Sequence, residues 1–386
     1  MTDAVAGRKL ESVAAWMRAL SDSVSDIANS PELESAKQEK LLEAARALAG
    51  DSKAIDRAAK MSSPEPAIAV LPMDATDREL AKARSRQAVR RGTDLYLPRS
   101  WDTSRIQPSL LVRCALFAVT STVQAQNDRV LSGDRNLLVT EKRIGSRPDV
   151  SVLLTGYPLC QFDRQVYAGC LEYYRDEPLA RPESRHISTS FYRFATGMDK
   201  QYSTKGHAAI RASLLRLSHA QLRIRYNGET ISLPKLLSVS FTSGGNDGCF
   251  RASDELAFQI SESVADLFGP GQWAAVDKAL AFKDDLKGWL ASYFGSHSSS
   301  FWLPVETLRL HSGYESKQNF KASLRRALDQ LKHQRIPERN RVAEYFFTKD
   351  EKKIQVVLAA WRRTKGQALG EDAQGSAESV TSPESG

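Results

Sequence analysis

Apolar residues recur at helical spacing in two stretches of the chain that closely resemble each other. Between Ser203 and Tyr226, Ile210, Leu214 and Leu217 fall at i, i+4 and i+7, the period of one helix face. Farther along, Phe320, Leu324, Ala327, Leu328 and Leu331 repeat the stripe, and Arg211–Arg216 (RASLLR) aligns with Lys321–Arg326 (KASLRR). Opposite the first stripe lie Lys205, Ala208, Ala212, Arg216 and His219. Opposite the second lie Gln318, Ala322, Arg325, Arg326 and Asp329. Small residues ringed by basic and amide side chains suit a helix that approaches a polar anionic surface, although a solvated surface helix shows the same face. A strand-like run follows each helix. A second pair, Phe162–Tyr174 and Phe282–Phe294, recurs in the same order, which implies a duplicated module.

Taken in order, residues 1–60 predict a helical hairpin, with helices over 8–29 and 32–49 broken at Asn29-Ser30-Pro31. Residues 61–105 read as a linker with a basic arm, Lys82–Arg91 (KARSRQAVRR). Residues 106–270 form the first module. It starts strand-like from Gln107, continues through helices opened by Ser188-Thr189-Ser190 and Ser203-Thr204, and reaches a hairpin, Gln221–Tyr226 with Glu229–Leu233, across Asn227-Gly228. Two further strands extend this wing. Residues 271–363 form the second module, with helices at Phe282–Phe294, Pro304–His311 and Lys317–His333 and a wing from Arg341–Phe347 and Ile354–Leu358. Residues 364–386, rich in Gly, Ser, Glu and Ala, predict a disordered acidic tail. Helix, helix, helix, hairpin, used twice, predicts an α+β chain of two tandem winged-helix domains.

Charge sharpens this picture. Residues 1–76 hold nine basic and twelve acidic side chains and residues 364–386 one and four, so the centre carries +14 in a chain of net charge +8. A basic centre between acidic ends points to a polyanion, with nucleic acid the foremost candidate. Four scattered cysteines, Cys114, Cys160, Cys170 and Cys249, read as reduced thiols in a cytoplasmic protein with no zinc site. The stretch MTDAVAGRKLESVAAWMRAL lacks the apolar core and cleavage site expected of a signal peptide, and no run is apolar enough to predict a membrane span.

The stretch from about Ala115 to Leu358 resembles the TrfA family of plasmid replication initiators. The resemblance rests on Ala115-Leu116-Phe117, Cys170–Tyr174 (CLEYY), Leu237–Ser240 (LSVS), Asp254-Glu255 and above all Tyr293–Ser316 (YFGSHSSSFWLPVETLRLHSGYES). It implies binding of directly repeated origin sites, origin opening, and work with the host initiator, helicase and sliding clamp, with a homodimer when free. Residues 1–76 and the acidic tail depart from the family. A glutamine-led peptide at Gln107–Leu111 is similar to clamp-docking peptides but runs on into an apolar strand. The alternative reading is a sequence-specific repressor or copy-number regulator.

The expected interface follows. Gln318 and Arg325 would meet base edges, flanked by Lys317, Asn319, Lys321 and Arg326, since arginine pairs with guanine and amides with adenine. Lys205, Arg211 and Arg216 would read from the first module. Arg223, Arg225, Lys349, Lys352 and Lys353 would hold phosphates from the wings. No HxH, HExxH or phosphate-binding GxxxxGK[ST] pattern occurs, so neither catalysis nor a cofactor is expected.

Overall fold

The computed structural model describes residues 68–119, 123–179, 186–226, 228–242, 249–283 and 285–361, with backbone alone for 123–126. The predicted N-terminal hairpin and acidic tail lie outside the described residues. By its contacts the chain divides into two units, residues 1–66 with 227–229 and residues 67–226 with 230–386. The architecture that follows is that of the second unit, and it mixes helices with small sheets.

The elements are, in order, β1 (Ala69–Leu71), α1 (Asp77–Arg84), β2 (Val89–Arg91), β3 (Asp94–Tyr96), β4 (Ser104–Pro108), α2 (Ser109–Val112), β5 (Phe117–Ala118), α3 (Val123–Leu131), β6 (Val139–Ile144), β7 (Val150–Gly156) and β8 (Leu159–Cys160). There follow α4 (Gln161–Glu172), β9 (Ile187–Ser190), α5 (Phe191–Gly197), α6 (Thr204–His219), β10 (Gln221–Tyr226), β11 (Glu229–Leu233), β12 (Leu237–Thr242) and β13 (Glu255–Ile260). The last group is β14 (Trp273–Asp277), α7 (Lys278–Ala281), α8 (Leu286–Gly295), β15 (Trp302–Pro304), α9 (Val305–Ser312), α10 (Lys317–Leu331), β16 (Val342–Phe347) and β17 (Lys353–Leu358).

The later half shows most directly how sequence makes structure. Asp285 accepts a hydrogen bond from the Gly288 amide (2.8 Å) and so starts α8, whose Leu286, Trp289, Leu290, Tyr293 and Phe294 are all buried. Gly313, at φ +66°, ends α9 where a Cβ would lie 2.6 Å from that of Ala118, so only glycine fits. Ser316 then caps α10. Its buried stripe is Phe320, Leu324, Ala327, Leu328 and Leu331, as the periodicity predicts. Each such Leu or Phe contributes about 1.5–3 kcal/mol on burial. In β17, Ile354, Val356 and Leu358 alternate inward, and the sheet order is β15-β17-β16.

The earlier half follows the same path. After α4, β9, α5 and α6 comes a sheet ordered β12-β13-β9, in which β13 lies between its neighbours as β17 does. Between α6 and β12, however, β10 and β11 leave for a four-stranded sheet ordered β11-β10-β7-β6, with Leu222 opposite Leu154 and Ile224 opposite Val152. The predicted Gln221–Leu233 hairpin therefore exists, but the hairpin equivalent to β16–β17 is β12–β13. The internal repeat is also out of register. With the caps Ser203 and Ser316 superposed, Arg211 falls opposite Leu324, so RASLLR and KASLRR sit nearly one turn apart.

Several contacts join the halves. Strand β4 runs antiparallel to β14, with Ile106 opposite Ala275. Arg164 donates to Ser292 Oγ (3.1 Å) and the Lys283 carbonyl (2.7 Å), and Arg113 donates to Ser296 Oγ (2.8 Å). The stretch expected to be linker is folded from β1 onward. Arg84 of the basic run is buried and donates to the carbonyls of Leu97 and Arg175, while Ala88 and Val89 are fully covered. Gln107, Ser109 and Leu111 of the clamp-like peptide are buried as well, because β4 pairs with β14. That peptide cannot dock elsewhere without unfolding the pair.

Candidate nucleic-acid interface

Helix α10 carries the clearest polar face. Lys317, Gln318, Asn319, Ala322 and Arg326 are exposed opposite the buried stripe, and the Ser316 hydroxyl accepts from the Asn319 amide (3.3 Å). A helix N-terminus leaves donors pointing outward and favours anions nearby. Lys321 and Arg325, half-buried, reach sideways to the β16–β17 tip. Lys321 Nζ donates to Glu351 Oε2 (2.9 Å) and Arg325 Nη2 to Glu351 Oε1 (2.6 Å). The Arg325 guanidinium also lies over the Phe347 ring, 4.7 Å from its centroid.

The tip itself is a tight turn. Thr348 Oγ1 donates to Asp350 Oδ1 (2.6 Å), as does the Lys352 amide (3.2 Å), while Lys349, Lys352 and Lys353 are exposed. The Thr348 and Lys352 donors hold Asp350 below the usual carboxylate range. Lys321 and then Arg325 do the same for Glu351. All three predicted tip lysines thus share one hairpin end with the reach of Lys321 and Arg325. Glu351 and Phe347 were not anticipated. The signal available was an acidic residue and a strand aromatic inside a lysine run, Phe346–Lys353 (FTKDEKK after the first Phe).

The first half differs. Lys205 is exposed near the start of α6. Arg211 is half-buried, over Phe241 (4.4 Å) and Phe250 (5.7 Å), so it too leans on aromatics of the following hairpin. Arg216 is not a surface reader. It is 1% exposed, donates Nε and Nη2 to Asp163 (3.0 and 2.7 Å) and Nη1 to Asn127 Oδ1 (2.8 Å). Burial opposes its charge, but the Asp163 carboxylate keeps its pKa above the ordinary value. The small residue Ala212 is fully covered by Val130 and Tyr157, because α3 packs along this face. Close approach is therefore used for helix packing there. Arg223 and Arg225 are exposed, but they stand on β10 in the four-stranded sheet, where Arg223 pairs with Glu141 (2.8 Å). They do not stand on the hairpin equivalent to β16–β17.

No group of three metal-ligating side chains occurs among the described residues, and none of their helices is long and apolar enough to cross a membrane. Cys114, Cys160 and Cys170 are buried, and burial pushes the Cys114 thiol up to about 12. His207 is stacked between Phe191 (3.6 Å) and Phe250 (4.6 Å), and burial lowers its pKa. These are packing roles.

No protein-family model and no curated protein sequence matches the chain. Among solved structures, it is similar to a selenomethionine crystal structure of domains 2 and 3 of RctB. Identity is 12%, with 56% of this chain and 90% of that one covered, at a TM-score of 0.36. A second crystal structure of the same two domains gives 13% identity over 57% and 89%, at 0.35.

Proposed function

We propose that the chain is a DNA-binding replication initiator of the plasmid type, built on two tandem winged helices, as its resemblance to the TrfA family implies. The observation that carries this reading is the polar face of α10. Lys317, Gln318, Asn319, Ala322 and Arg326 face outward beside a hairpin tip bearing Lys349, Lys352 and Lys353. An α-helix fits the major groove, and a basic hairpin at its flank fits the adjoining phosphates. Gln318 and Arg325 would contact base edges, Lys317, Asn319, Lys321 and Arg326 would flank them, and the tip lysines would hold the backbone. The first half would contribute Lys205 and Arg211, with Arg223 and Arg225 limited to phosphate contact from their own sheet. Directly repeated origin sites are the expected target, and the host initiator and helicase the expected protein partners, in the cytoplasm. No catalytic step is assigned to the chain itself.

The test is binding to origin-proximal duplex from its own replicon against a shuffled duplex, by fluorescence anisotropy over a salt series. If ~6–10 phosphates are neutralised, affinity falls by ~10³–10⁵ between ~50 and ~200 mM salt, while preference for the repeats persists. Equal affinity for both duplexes would reject the reading. Support of origin-dependent plasmid replication then separates an initiator from a repressor.

A further inference from the structure

We propose that Glu351 is a specificity-determining residue of the surface formed by α10 and the β16–β17 tip, an inference that rests on the DNA-binding reading above. Glu351 stands in the left-handed region (φ +54°), which residues other than glycine seldom adopt, and its amide donates to the Thr348 carbonyl (2.8 Å). The turn thereby aims its carboxylate at α10, where Lys321 and Arg325 lie one helical turn apart. The carboxylate bridges both cations. Arg325 is fixed on two sides, its face on Phe347 and one edge on Glu351.

A partly exposed ion pair of this kind contributes little to folding, so its consequence falls on binding. A carboxylate spanning two cations occupies the place that a DNA phosphate would otherwise take. Any duplex offers phosphates, and Glu351 both competes with them for Lys321 and Arg325 and repels them from a tip rich in lysine. Only a base edge in the right register offers Arg325 further acceptors while the Glu351 contact stays in place. The residue therefore weakens random binding more than it weakens binding to the correct site. It also pre-orients the arginine, so that less freedom is lost when a base is read.

The experiment compares the wild-type chain with Glu351→Gln on the origin-repeat duplex and a shuffled duplex across salt. The expected result is affinity for the shuffled duplex up about tenfold with a salt slope steeper by about one, against a change under about threefold on the repeats. Glu351→Asp restores much of the discrimination. Phe347→Leu loosens Arg325 without changing charge, and so lowers discrimination at an unchanged salt slope. A wild type that prefers the repeats together with a Glu351→Gln variant of equal discrimination overturns the role of Glu351 alone. A wild type without preference overturns the DNA-binding reading beneath it.

Discussion

Arg216 and Asp163 form an ion pair with both side chains out of contact with solvent, Nε and Nη2 of the arginine sharing the two carboxylate oxygens. The same carboxylate accepts from the Cys160 amide (2.9 Å) and so also closes the start of α4. The pair ties α6 to α4, and Asn127 extends it to α3.

Removing one partner strands the other. Asp163→Ala is expected to cost about 3–5 kcal/mol, because a buried guanidinium is left without a counter-charge. Arg216→Met with Asp163→Leu is expected to cost less than either single change. Urea unfolding measures both. Arg216→Met, if it folds, should leave the salt slope of DNA binding unchanged; a slope lower by about one would return Arg216 to the interface.

The exposed residues of α10 and the tip should separate by kind. Gln318→Ala is expected to lower discrimination by about 1–3 kcal/mol at one base position with little effect on random duplex. Lys352→Ala should weaken every duplex alike and reduce the salt slope by about one. Anisotropy on single-base variants of the repeat distinguishes the two outcomes.

Mild acid should weaken the fold through its buried histidines. Burial, with Arg113 adding repulsion, pushes His297 down to about 4, and burial also lowers His207 and His311. An unfolded histidine titrates near 6.5, so between about 6.5 and 4 the unfolded chain binds protons that the folded chain refuses. The histidine contribution to stability is therefore full above about pH 6.5 and declines as pH falls through that window. Urea midpoints at several pH values should show the decline, with a smaller one in His297→Gln.

Gly156 ends β7 at φ +131°, and a Cβ there would lie 2.3 Å from the His219 carbonyl oxygen. The obstacle is backbone at the end of α6, which cannot swing aside. Gly156→Ala is expected to cost about 1–3 kcal/mol, read as a lowered melting temperature.

The second half was legible in the sequence because its signals are local. The α10 stripe, the Ser316 cap and the β16–β17 hairpin need only near neighbours to be read. On α6 the same kind of pattern misled, since what covers Ala212 and Arg216 is α3 together with Tyr157 and Asp163, all far upstream in the chain and without any local mark of that contact. The Gln221–Leu233 hairpin was visible through Asn227-Gly228, but sheet membership depends on β7, which lies far upstream. The basic run Lys82–Arg91 looked like a solvated arm because charge counts do not reveal that Arg84 finds two carbonyls under a folded segment.

The seam between the halves bears on the spacing of whatever they grip. With β4 paired to β14 and Arg164 bonded to Ser292 and Lys283, the angle between α6 and α10 is not set by a slack tether. A duplex turns once in about 10–10.5 base pairs, so one added base pair swings the second segment around the axis as well as along it. On the DNA-binding reading proposed above, contacted segments displaced by half a turn would present the wrong side of the duplex to one half, whereas a full-turn displacement would restore the facing.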